Sequence, residues 1–246
     1  MLTFFLFGMV AKGQVSETRK VTEFSKVEIK NAELVFMESD SNSFRIEAVD
    51  EAALAQVKTV ISDGTLKIIN KGNAYDKVKV YVSGNNITAF KANSNAKITV
   101  ENQLTAKNVN VTLKSGSTFT GNIICENQTK LQAGSHTAFK GKIDTGLFDG
   151  KFNSDAKVIL SGTAKTASLL TDSAVLCNAR NFVSENLVIN ADGNSKVWVY
   201  ASKNIDISVS ETAKVTYSGF PKTVNLNQNA IAVSKIKTDH YLSYNY

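Results

Sequence analysis

Cysteine, proline, histidine and arginine are scarce in this chain: two, one, two and three among 246 residues. Each scarcity excludes something. Two cysteines, Cys125 and Cys177, cannot build a disulfide scaffold. With only His136 and His240 there is no HxxH, HExxH or Cys/His cluster, so no zinc site is expected. A serine triad needs a histidine within reach of an acid and a serine, and the many serines here recur at turn positions where small size explains them. No GxGxxG or GxxxxGKS occurs, so no cofactor is expected. One proline, Pro221, leaves long β ladders uninterrupted. The longest apolar run, Leu2 to Val10, is too short to span a bilayer. The net charge of +6 is spread among acids without a basic cluster, which argues against a nucleic-acid partner.

What is present is a repeat. Seven short stretches read apolar, any, small or polar, any, small, any, apolar. They centre on Ala96, Ser117, Ser135, Ala156, Ala174, Ser195 and Ala213, at spacings that alternate between 21 and 18 residues. A fixed period near twenty residues is the signature of a solenoid. Residues two and four beyond each centre, and four before it, are mostly apolar. Phe152 and Leu170 stand at the inward position four before. Even offsets share one face of an extended chain, so these residues point inward. Lys97, Lys157, Lys196 and Lys214 each follow a centre directly and point outward. The expected fold is all-β: a right-handed parallel β-helix with 18/21-residue coils, the three extra residues looping out of every second coil. Cys125 and Cys177 fall in different columns three coils apart, too far for a bridge.

The flanks set the domain plan. Residues 1–13, MLTFFLFGMVAKG, read as a signal peptide, with Ala11 and Gly13 at the cleavage positions. Residues 14–84 lack the repeat and read as a β-rich cap. Within them, Asp50 caps a short helix over DEAALAQV, and Asp63-Gly64 turns a hairpin. Residues 85–236 form the solenoid, with an irregular last coil through Val224, Leu226, Ile231, Val233 and Ile236. Residues 237–246 are a tail.

The segment Gly193 to Asn225, GNSKVWVYASKNIDISVSETAKVTYSGFPKTVN, resembles the end of the auto-transporter adhesin, head GIN domain family. Phe24-Ser25-Lys26-Val27, Asp63 to Ile68 and Val78 to Val82 match its usual layout. Family members often carry Ser-Gly-Ser-Gly at repeat corners, where this chain has Ser94-Asn95-Ala96 and Ser154-Asp155-Ala156. The resemblance implies a β-helical exported protein with an adhesive role, and carries over no catalytic residue.

Two functions compete. The first is an adhesin-like module that offers rows of Lys, Asn, Ser and Thr to glycans or surface proteins. The second is a polysaccharide lyase or hydrolase built on corner carboxylates. Its candidates are Asp144, Asp149, Asp155, Asp172 and Asp192, with a weak calcium site, but Arg180 is the single arginine in the repeat region. Turn preference alone accounts for Asp at corners. Trp198, Tyr200 and Tyr81 sit in outward phase and could stack on sugars. The balance favours the binding module, not an enzyme, with no catalytic, cofactor or metal residue assigned.

Overall fold

A computed structural model describes residues 14–73, 77–210, 212–227 and 232–236. The expected signal peptide and tail, and Ile231, lie outside these residues. The chain is a parallel β-solenoid of about seven turns. Its regular part is β9 (Lys97–Leu113), β10 (Thr118–Ala133), β11 (Ala138–Phe152), β12 (Lys157–Thr171), β13 (Leu176–Ala191) and β14 (Lys196–Val209), each paired in parallel with the next. Alternating buried and exposed residues run along each strand. One coil cannot bury its inner face alone, and stacking supplies the missing partner.

The coil length is corrected by the register. Lys97, Thr118, Ala138, Lys157, Leu176, Lys196 and Lys214 are successive partners across the ladder. Their spacings are 21, 20, 19, 19, 20 and 18 residues, so the 18/21 alternation does not hold. The true centres, one residue earlier, include Thr137 rather than Ser135 and Val175 rather than Ala174. Both Thr137 and Val175 are buried, whereas Ser135 and Ala174 are exposed. A small residue is therefore not required at every corner, and a search for one slips the phase. The slip by one residue at Val175 flips the whole coil. Leu170 and Leu176 are 46% and 40% exposed, while Thr171 and Cys177 fill the inward positions. The extra residues do not form one loop in every second coil. They are absorbed as register shifts at several bends, between Thr120 and Asn122, Cys125 and Gln128, Ile159 and Ser161, and Ala179 and Val183.

The corners have their own geometry. Ser94/Asn95, Ser115/Gly116, Ser135/His136, Ser154/Asp155, Ser173/Ala174 and Gly193/Asn194 all have positive φ. Two successive left-handed residues are the mark of a type I′ turn. Four of these turns close with a hydrogen bond from the residue after the pair to the residue before it, as from Ala156 N–H to the Asn153 carbonyl at 3.2 Å. The pairs also bond from coil to coil: His136 N–H donates to Ser154 O at 2.9 Å and Asp155 N–H to Ser173 O at 3.0 Å. Left-handed backbone is costly for most residues, and this ladder holds it in place.

The ladder continues across the boundary expected between residues 84 and 85. β2 (Lys26–Lys30) and β3 (Glu33–Glu38) form one rung against β8 (Ala89–Asn93) and β9. β6 (Thr65–Asn70) and β7 (Lys79–Gly84) form the next rung outward. The earlier segment therefore lies between two later ones. Val80, Leu34, Ile98, Phe119, Phe139, Val158, Cys177, Val197, Val215 and Val233 make one partnered column. The end beyond β7 is closed by antiparallel pieces: β1 (Val15–Thr18) on β4 (Ser43–Ala48), β4 on β7, and β5 (Val57–Ser62) on β6. Antiparallel closure hides the free ladder edge that an open column would expose. Helix α1 (Glu51–Ala55) forms where expected, with Asp50 accepting from Ala53 N–H at 2.9 Å. The Asp63-Gly64 turn has φ of 52° and 67°, which suits a two-residue hairpin.

At the other end, β15 (Lys214–Ser218) and β16 (Thr223–Leu226) form a rung on β14, and β17 (Val233–Lys235) adds a short irregular last rung on β15. The interior is filled by its own side chains. Phe36, Phe90, Phe119 and Phe139 follow one another with ring centroids 5.2, 5.8 and 5.2 Å apart. Burying each ring contributes about 1.5–3 kcal/mol.

Candidate functional site

The outward residue after each corner centre is the most regular surface feature. Lys97, Lys157, Lys196 and Lys214 do share one row, as their common offset implies. Thr118 and Ala138 separate the first two, and Leu176 separates the next two. Lys196 and Lys214 are direct cross-strand partners. Like charges facing across a ladder are destabilising, so the charges of this pair do not contribute to the stability of the fold. All four side chains are exposed. Among the described residues none of the four makes an ion pair, whereas Lys30, Lys91, Lys142 and Lys203 each reach a carboxylate within 4 Å.

The candidate acids are not brought together. Asp144 lies at a bend, 3.1 Å from Lys142 and 2.9 Å from the Thr163 hydroxyl. Partial burial pushes its carboxyl up, but the bonds from Lys142 and Thr163 outweigh this and hold it below the usual value. Asp149 stands across from Lys130 and Ser168 on another face. Asp155, Asp172 and Asp192 lie along the corner. Asp155 is 3.5 Å from His136, and both are largely exposed. Asp192 is held low by a bond from the Ser210 hydroxyl and another from Gly193 N–H. The Asp172 carboxylate occupies the space where a Cβ on Gly193 would sit. Asp144, Asp155 and Asp192 are thus each engaged by a local neighbour. Among the described residues, no three His, Cys, Asp or Glu side chains are grouped to hold a metal. Arg180 does not meet the acids. Its guanidinium lies over the Trp198 ring, 5.4 Å from the centroid.

The aromatics are also dispersed. Tyr81 and Trp198 share an outward row but are seven rungs apart, on the order of 34 Å at the usual strand spacing. Tyr81 is covered by Arg45 and Lys79, with centroid distances of 4.2 and 5.0 Å. The Tyr200 ring lies against Gly219, 3.1 Å from where a Cβ would be. No common stacking platform is formed by the three.

One feature escaped sequence reasoning. A concavity of about 450 Å³ opens where the lysine row meets the N-terminal rungs, bordered by Asn31, Glu33, Lys77, Lys79, Lys97 and Thr118. Nothing local marks it, because it depends on segments out of chain order.

With the corner ladder, the columns and the outward row defined, the sequence of residues 23–221 matches the family described as "Putative auto-transporter adhesin, head GIN domain". This match spans most of the 246 residues. The chain belongs to the head GIN domain family. The resemblance seen in Gly193 to Asn225 thus extends over nearly the whole repeat and both N-terminal rungs. Among solved structures, a "putative adhesin" from Parabacteroides merdae is similar, with a TM-score of 0.80 and 15% identity over 91% of this chain and 96% of that one. A "putative adhesin" from Bacteroides fragilis has a TM-score of 0.64 and 19% identity over 91% and 94%. A "Putative lipid binding protein" from Parabacteroides distasonis has a TM-score of 0.70 and 16% identity over 91% and 97%. At these identities the likeness is one of fold. No curated protein matches the sequence. Among the described residues of this head GIN domain, no helix is long and apolar enough to cross a membrane.

Proposed function

We propose that this head GIN domain is an exported adhesin-like binding module whose lysine row docks an extended anionic partner, a glycan in the first instance. The observation that carries the reading is the row Lys97, Lys157, Lys196 and Lys214, which makes no ion pair among the described residues, with Lys196 directly beside Lys214. The rigid ladder fixes the lysine backbones in advance, so binding orders only the side chains, at about 0.5–1.5 kcal/mol for each lysine immobilised. Rungs about 4.8 Å apart present a repeating lattice that suits a repeating polymer. Family membership supports a cell-surface or exported setting. The filled interior, with Phe119 on Phe139, favours surface contact over enclosure of a lipid tail. The dispersal of Asp144, Asp149, Asp155, Asp172 and Asp192 favours binding over lyase or hydrolase chemistry.

The test is a binding screen of the purified protein against acidic and neutral polysaccharides at low and high salt. Retention on acidic polymers, weakened by salt and lost in a Lys157→Ala, Lys196→Ala, Lys214→Ala variant, is expected. Steady release of unsaturated oligosaccharides, abolished by Asp155→Asn or Asp172→Asn, would replace this reading with the enzyme.

A further inference from the structure

We infer that the concavity at the N-terminal end of the lysine row is a terminal subsite for an acidic sugar. This deepens the reading of the row as a contact surface and rests on it.

The recess has a structural cause. Ile29 is the partner of Ala92, and Leu34 is the partner of Ile98. Four residues, 30–33, span the corner in the rung of β2 and β3, against five, 93–97, in the next rung. Only Asn31 is left-handed there, where the neighbouring corner uses both Ser94 and Asn95. The shorter corner is set back from its neighbour. On its other side, Ile68 and Val80 partner Ile29 and Leu34 but are joined by a longer segment. Asn31 Nδ2 donates to the carbonyls of Asn70 at 3.3 Å and Gly72 at 2.9 Å, so the short corner is tied to the residues that end β6 and follow it. The result is a notch beside the 93–97 corner, about 450 Å³ in volume. That lies within the range of small-molecule sites.

Its chemistry is specific. Lys79, Glu33, Lys97 and Thr118 are successive members of the row that continues to Lys157, Lys196 and Lys214. The notch is therefore the end of the row, not a separate patch. Lys77 and Lys97 make no ion pair among the described residues, and Lys79 rests against the Tyr81 ring at 5.0 Å. Among the described residues three lysines and one carboxylate line it, so an anion is favoured. A simple inorganic anion would be repelled by Glu33. A sugar acid satisfies both signs: its carboxylate meets Lys77 and Lys97, and its hydroxyls donate to Glu33 and bond with Thr118.

The experiment measures binding of the full chain to tetragalacturonate, to its methyl ester and to long polygalacturonate. The ester keeps the hydroxyls and removes the charge. Tetragalacturonate should bind, and the ester should not. Lys77→Ala with Lys97→Ala should weaken the tetramer by about tenfold or more, as expected for lost charged hydrogen bonds. Lys196→Ala with Lys214→Ala should weaken the long polymer more than the tetramer. Equal binding of acid and ester overturns the subsite, as does a tetramer indifferent to Lys77 and Lys97. If the long polymer binds and the tetramer does not, the subsite falls while the row stands. If neither binds, the row reading falls and takes the subsite with it.

Discussion

Phe139 stacks on Phe119, with ring planes 7° apart and centroids 5.2 Å apart. The two residues are direct partners on neighbouring rungs. Gly141 makes the stack possible: a Cβ there would meet the Phe139 ring at 3.0 Å and would collide with the Gly121 carbonyl oxygen. Gly141→Ala should therefore cost about 1–3 kcal/mol by overpacking. Phe119→Ala should cost about 3–5 kcal/mol through lost burial and the cavity left behind. Thermal or urea unfolding would measure both. An unchanged midpoint for Gly141→Ala would mean that the stack tolerates displacement.

Inward and outward phase can be read by charge insertion. Phe152 is 2% exposed and its coil neighbours close over it, so Phe152→Asp should unfold the protein. Thr171→Asp should do the same. Leu170→Asp and Lys157→Asp should change the melting temperature little, because both side chains face solvent. A large loss for Leu170→Asp would mean that the fifth coil has the opposite phase, with Leu170 inward.

Acid stability should contain a contribution from Asp144. Its pKa is depressed in the fold from 3.8, so it binds its proton more readily once unfolded. That contribution is fully present above the ordinary aspartate value and is lost as pH falls through the lowered one. Asp144→Asn should be less stable than the parent at neutral pH. The two unfolding curves should converge as the pH falls below the ordinary aspartate value. A constant gap between them at every pH would assign the loss to packing instead.

Cys177 offers a probe of local opening. Burial alone pushes its thiol up to about 12, and its column neighbours are Val158 and Val197. The thiolate is the reactive form, so alkylation at pH 8 should be negligible in the folded protein and complete in denaturant. Prompt labelling under native conditions would show that the fifth and sixth coils open readily.

The sequence by itself determined the class of fold, the inward columns of most coils and the lysine row. Those follow from a period of two along each strand and from small residues near the tight corners, both of which are local. It also determined the Asp50 helix cap and the Asp63-Gly64 turn, where side-chain and backbone chemistry act within a few residues. Tertiary structure decided the rest. The phase of the coils centred on Thr137 and Val175 depends on which residue lies under its neighbour, and their corners carry Thr and Val where the other corners carry Ala or Ser. The true centre is then visible only from the ladder. The order of the N-terminal rungs is equally nonlocal: Val27 lies between Leu66 and Phe90, which are far from it in sequence. The notch beside Lys97 exists because those rungs have corners of unequal length, and no single stretch of chain contains it.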